Sequence, residues 1–201
     1  KRIEEKNHDK EFLGIDSYYN YIPPIISNLK ELSKNLSPPN EFENSTSILF
    51  TMLGFDVTKL GQGKGRTVDI IAKGYPDSVK SYVVLIDCKS RGKEDYKINA
   101  GEERTMIEYV TNFRDDYPQN RNDDIYFLLV SSGFNEIPDK LLRKIKSETK
   151  VDLSYITVDT LLFLLSLKLQ KWEIDIGSIK KVFQKQGLIT KEHVLEVLSG
   201  R

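Results

Sequence analysis

Apolar and polar positions along the chain follow two periods, and the switches between them predict the elements. Residues 67–72 and 82–88 are Val/Ile-rich runs of strand length that flank Gly74, Tyr75, Pro76, Asp77 and Ser78, a turn-forming cluster. Such punctuation between β-rich segments predicts an antiparallel hairpin. Upstream, Phe42, Leu49 and Leu53 mark the apolar face of a helix over residues 41–53. Gly54 stands at its C-terminal boundary, and residues 55–57 follow as a short strand. Downstream, Ile107, Val110 and Phe113 recur at helical spacing within 99–113. Residues 125–130 are almost continuously apolar, as in a strand covered on both faces.

The remaining segments alternate. A charged lead over 1–13 predicts a short solvated helix, and Pro24 opens a second helix through Leu36 until Ser37, Pro38, Pro39 and Asn40 break it. Residues 137–147 read as a helix and 155–158 as a strand. Asp159 or Thr160 then serves as N-cap for a helix over 161–171. Two short helices, 176–184 and 191–198, are split by Gly187. The order predicts a mixed α/β protein: a central sheet, antiparallel at the hairpin and parallel where helices cross over, flanked by helices with helical extensions at both ends. Residues 1–39 form a helical lead or linker and residues 40–201 the main domain.

Composition narrows the function. Among 201 residues, 30 Lys and Arg balance 30 Asp and Glu, so a polyanionic partner must be met by a local basic patch and not by a global field. The single Cys88 excludes an internal disulfide framework and a cysteine zinc site, and suits a reducing cytosol. The charged start has no apolar run behind it, arguing against a signal peptide. The most apolar stretch, residues 161–169, is interrupted by Ser166 and Lys168 and is too short to span a bilayer. A chain that begins at Lys1 without a methionine predicts a domain excised from something larger.

The hairpin carries charge where apolar residues are expected. Asp69 lies in the first run, and Asp87 and Lys89 close the second. Strand side chains alternate, so Asp87 and Lys89 project to one side and Cys88 to the other, where it serves as a small apolar residue. Glu43 on the preceding helix is a third acid. Buried carboxylates and an ammonium on an apolar sheet are costly unless they serve one another or a metal. Two carboxylates suit a hard cation such as Mg²⁺, with Mn²⁺ as a substitute, and the backbone carbonyl of Cys88 completes the set. Lys89 is placed to orient an attacking water. The plainer alternative is an edge strand ending in water, with Asp69 capping a turn.

These residues resemble the PD-(D/E)xK nucleases, which share the restriction-endonuclease-like fold. The family's first acid matches Asp69, with Val68 where a proline often stands; its (D/E)xK matches Asp87-Cys88-Lys89; its helix glutamate matches Glu43. From residue 40 onward the chain is similar to the cleavage domains of type IIS restriction enzymes of the FokI kind. The similarity is carried by Lys59-Leu60-Gly61, by the run Val83 to Lys89, by Met106 with Tyr109-Val110, by the run Phe127 to Ser131, and by Gly187-Leu188-Ile189-Thr190. It implies Mg²⁺-dependent, sequence-nonspecific cleavage of double-stranded DNA in a prokaryotic cytoplasm, with the target chosen by another domain or subunit. Asp69, Asp87, Lys89 and Glu43 are then catalytic, with Asp69, Asp87, the Cys88 carbonyl and Glu43 (through a water) holding the metal. A DNA repair or junction-resolving nuclease of the same fold, or an inactive DNA-associated module, is the alternative.

The same resemblance implies transient pairing of two cleavage domains, as a homodimer or heterodimer. Arg104 and Glu108 occupy the positions where the family carries an acid and a base one turn apart, here with exchanged signs. Such a self-complementary pair suits an isologous contact; a surface pair within one helix is the plain alternative. Lys64 and Arg66, in a loop with three glycines just before Asp69, are candidates for DNA phosphates, as are Arg91 and Lys93 just past Lys89.

Overall fold

The structure is a computed structural model that describes residues 22–34, 39–60, 67–77, 80–91, 95–120, 123–170 and 173–199. Among the described residues six strands form one sheet in sequence order: β1 (Asp56–Lys59), β2 (Ile70–Gly74), β3 (Tyr82–Lys89), β4 (Asp124–Ser131), β5 (Asp152–Thr157) and β6 (Gly187–Ile189). β1, β2 and β3 pair antiparallel, and β3 through β6 pair parallel. The helices are α1 (Leu29–Lys34), α2 (Pro39–Met52), α3 (Ala100–Asp116), α4 (Asp139–Thr149), α5 (Val158–Leu169), α6 (Ile176–Phe183) and α7 (Lys191–Ser199).

Strand alternation sorts the core into two layers. Val84, Ile86, Leu128, Val130 and Ile156 face a cluster completed by α1, α2, α5, α6 and α7. Val83, Leu85, Phe127, Leu129 and Leu153 face the other side, where α3 and α4 supply Met106, Val110, Phe113, Leu142 and Ile145. Both faces of β3 and β4 are therefore covered, the reason these strands are near-continuous apolar runs. Burying a side chain such as Leu165, fully enclosed in α5, contributes about 1.5–3 kcal/mol.

Several expectations shift. The β2 ladder begins at Ile70, so Asp69 stands one residue before the strand and not within it. Its backbone is nevertheless tied on both sides: its N–H donates to the Ile86 oxygen at 3.1 Å, and its carbonyl accepts from the Leu60 N–H at 2.9 Å. The helix expected from Pro24 to Leu36 is, over its described part, a 3₁₀ turn Pro24–Ile26 followed by α1. Ile26 and Leu29 are fully enclosed in the core. The α5 N-cap is Thr157, whose hydroxyl accepts from the Thr160 N–H. Asp159 instead pairs with Lys30 at 3.1 Å and Lys191 at 2.5 Å, tying α1 and α7 to the start of α5.

Gly187 does more than separate two helices. It opens β6 with φ +99°, a left-handed conformation that glycine adopts without a Cβ penalty, and β6 then adds to β5 in parallel. Gly54, at φ +98°, ends α2 as its sequence position suggests. The α5 helix is apolar all round because nine of its twelve residues are buried. Among the described residues no helix is long and apolar enough to cross a membrane.

Candidate active site

The site lies where the antiparallel half of the sheet meets the parallel half, at the end of β3. Asp87 and Lys89 follow Leu85 on the face that looks toward α3, because the strand period is two residues. Lys89 Nζ lies 2.8 Å from Asp87 Oδ2. That ion pair is the contact that compensates the Asp87 charge. Asp87 is 3% exposed. A charge this deep depends on its partner, since an uncompensated one costs several kcal/mol.

Asp69 reaches the same point from the start of β2. Its Oδ2 accepts the Cys88 N–H at 2.7 Å, which fixes the carboxyl between two positions of β3. In a strand, a residue's N–H and C=O point to the same side, so the Cys88 carbonyl also faces the edge where Asp69 stands and β2 has not yet begun. The Cys88 side chain packs on the opposite layer. Its thiol is held well above the usual range by burial and the nearby Asp69 charge, so it stays protonated.

The acids repel one another. Burial, then the Asp87 charge, then that of Glu43 push the Asp69 carboxyl up to about 8, against the opposing Cys88 N–H bond. Asp87 is raised by its complete burial, with Lys89 resisting. Lys89 is itself raised: burial disfavours its charge, but pairing with Asp87 outweighs that. Two carboxyls close together and buried repel one another, so both resist ionisation.

Glu43 arrives from the first turns of α2, 4% exposed, with Oε2 lacking a hydrogen-bond donor. Its partner is Lys59 of β1, whose ammonium lies 3.5 Å away. The donor set fits a hard divalent cation: Glu43 Oε2 is buried without a hydrogen-bond donor, and the Asp69 and Asp87 carboxyls lie close enough to repel one another. Among the described residues, no three or more His, Cys, Asp or Glu side chains form a preassembled cage. Mg²⁺ needs none, because it is held by one or two carboxylates and keeps several waters.

Of the other expected residues, Arg91 stands at the margin of the site. Its N–H donates to the Ser33 oxygen at 2.9 Å. Its guanidinium lies 5.0 Å over the Tyr96 ring and 3.5 Å from Glu102 Oε1. Arg104 is exposed and Glu108 half-buried, one turn apart on α3. Lys64, Arg66 and Lys93 lie outside the described residues.

Sequence reasoning missed Lys59, Glu102 and Ser131. Glu102 adds negative charge near Asp87, and Ser131 Oγ donates to the Lys89 carbonyl at 2.6 Å, pinning the end of β3 to β4. Glu102 had a readable signal: Asn99 and Glu102 form a capping box that starts α3. Lys59 and Ser131 stood only within stretches that carry the family resemblance, and their roles were not readable there because their partners are distant in sequence.

A mixed sheet whose β2–β3 pair presents an acid, then an acid and a lysine two residues apart, with a helix glutamate nearby, has the layout of a restriction-endonuclease-like nuclease core. The sequence model of the FokI cleavage domain matches residues 2–190, and the chain belongs to that family of nuclease domains. Among solved structures, restriction endonuclease FokI is similar over 86% of this chain, at TM-score 0.71 and 20% identity. Its DNA-bound form is similar over 85%, also at TM-score 0.71 and 20% identity. The small subunit R.BspD6I2 of the heterodimeric restriction endonuclease R.BspD6I matches over 88% of this chain and 95% of its own, at TM-score 0.56 and 18% identity. The chain spans about a third of FokI, 32% and 31% of the two chains. No curated protein matches the sequence significantly.

Proposed function

We propose that this chain is a Mg²⁺-dependent DNA endonuclease module that hydrolyses phosphodiester bonds without sequence preference, its target chosen by a separate recognition domain or subunit, as in type IIS restriction enzymes. The observation that carries this reading is the convergence of Asp69, Asp87 and Lys89 at the end of β3, with both carboxyls raised by burial and mutual repulsion. Asp69, Asp87 and the Cys88 carbonyl would hold the cation, and Glu43 would support it through a water. The ion supplies Lewis-acid polarisation of the scissile phosphate and lowers the pKa of water.

The chain's own residues do the rest. Lys89 hydrogen-bonds and orients the attacking water on the side of the sheet that faces α3, and its charge offsets the negative charge that grows on the phosphoryl group. Asp87 holds Lys89 charged and in place. The Asp69–Cys88 bond keeps the first acid from rotating away. Arg91 and the bases Lys64, Arg66 and Lys93 contribute phosphate contacts whose strength falls with salt. Double-strand cutting would use a second cleavage domain meeting this one along α3 through Arg104 and Glu108. Membership of the FokI cleavage-domain family and near net neutrality both support a cleaving module that leaves recognition to another part.

The test is cleavage of supercoiled plasmid, with the chain fused to a heterologous DNA-binding domain. Wild type should nick or linearise the plasmid with Mg²⁺ or Mn²⁺ and lose activity in excess EDTA. Asp69→Ala and Lys89→Ala should each reduce the rate by at least about 10²–10³-fold, the range for losing one electrostatic contact to the transition state, with folded circular dichroism spectra. Full activity in EDTA, or in both variants, refutes the reading.

A further inference from the structure

Lys59 ends β1, the edge strand, and its ammonium reaches across to the first turns of α2. There it lies 2.6 Å from Asn44 Oδ1, 3.5 Å from the Asn40 backbone oxygen and 3.5 Å from Glu43 Oε2. The lysine is thus hydrogen-bonded to Asn44 and held beside Glu43 by charge. Glu43 is the complement: enclosed, negative, with Oε2 accepting no hydrogen bond from any described group. Its charge is compensated while its lone pair is left open. Asp69 and Cys88 both feel that charge, so the Lys59–Glu43 pair belongs electrically to the site at the end of β3. Three carboxylates, Asp69, Asp87 and Glu43, therefore face two ammonium groups, and each ammonium is assigned: Lys89 to Asp87 and Lys59 to Glu43.

We propose that Lys59 is an internal counter-ion for Glu43, a positioning residue that supplies part of the positive charge the site lacks when no divalent cation is bound, and whose own charge limits how tightly that cation is held. This rests on the reading of Asp69 and Asp87 as cation ligands. Two physical consequences follow. Without Lys59, Glu43 is a buried charge lacking its partner, and the metal-free protein loses stability. With a divalent cation present, the like charge of Lys59 no longer opposes it, and Glu43 becomes fully available, so the cation binds more tightly. A lysine that served only as a DNA-phosphate contact would produce neither effect in the absence of DNA.

The test uses the whole chain, without DNA, and the variant Lys59→Met, which keeps the length of the stem and removes the charge. Mn²⁺ binding, followed by loss of the free-ion paramagnetic resonance signal, should tighten by at least about tenfold in Lys59→Met, since removing one charge beside a divalent ion is a large electrostatic change. The thermal midpoint in EDTA should fall, and the gap to wild type should close at saturating Mn²⁺. Lys59→Arg should stay near wild type in both. Unchanged or weaker Mn²⁺ binding by Lys59→Met, while wild type binds normally, overturns the counter-ion role. Absence of Mn²⁺ binding by wild type overturns the metal reading itself and this role with it. If Lys59→Met does not fold, the double variant Glu43→Gln, Lys59→Met decides: recovered folding supports the pairing, and failure to recover overturns it.

Discussion

Removing the charge of Asp69 should stabilise the metal-free protein at neutral and alkaline pH. The substitution Asp69→Asn keeps a side-chain oxygen for the Cys88 N–H at the same place and removes the ionisation. Asp69 titrates at about 8 in the folded chain, against 3.8 for an ordinary aspartate. A folded value above the unfolded one means the folded state holds its proton more tightly. The associated stability is therefore complete below pH ~4 and is lost progressively as pH rises through about 8. At about 1.4 kcal/mol for each factor of ten, the full span is on the order of 6 kcal/mol. Sharing of the proton with Asp87 brings the expected difference to about 2–5 kcal/mol. Urea unfolding of wild type and Asp69→Asn in EDTA, at pH 4.5, 6, 7.5 and 9, measures it directly. The variant should match wild type or fall slightly below it at pH 4.5, then gain steadily on it up to pH 9. Saturating Mg²⁺ should remove most of that gain by stabilising wild type alone. A difference that does not change with pH, or a variant less stable than wild type at pH 9, would refute the assignment of Asp69 to a repulsive, cation-seeking cluster.

Two further outcomes are expected. Reversing the charge of Arg104 to Glu should shift plasmid products from linear to nicked DNA, and reversing Glu108 to Arg in the same chain should restore linear product; no change in the product ratio for either variant would leave α3 without a pairing role. Leu165→Ala, at a fully buried position of α5, should lower stability by about 2–5 kcal/mol through lost burial and the cavity left behind, with no change in the metal dependence of cleavage; a loss below about 1 kcal/mol in urea unfolding would contradict the packing described for that layer.

What the sequence determined by itself was local and periodic. The two-residue strand period put Asp87 and Lys89 on one side and Cys88 on the other, and they pair at 2.8 Å on the face toward α3. The 3.6-residue period placed Val110 and Phe113 in the core, and Gly54 marked a helix end because only a left-handed residue closes α2 there. Continuous apolar runs identified β3 and β4 as strands covered on both faces, since alternation disappears when neither face meets water. Glu43 was legible as a third acid on the helix before the hairpin, and the family resemblance gave it a role.

What tertiary structure alone decided was pairing between segments far apart in the chain. Lys59 and Glu43 are on different elements, and nothing in either local pattern announces that an edge-strand lysine will be seated on a helix start. β6 was unreadable because three residues carry too little periodicity; only a free edge on β5, and a left-handed Gly187 to turn the chain onto it, make them a strand. Thr157 displaced Asp159 as N-cap because Asp159 is drawn to Lys30 and Lys191, contacts that exist only once α1 and α7 dock on α5. The same holds for the protonation of Asp69. Any aspartate in a sequence is an ordinary acid, and it becomes a reluctant one only when folding buries it beside Asp87 and Glu43, because repulsion between charges depends on distance through space and not along the chain.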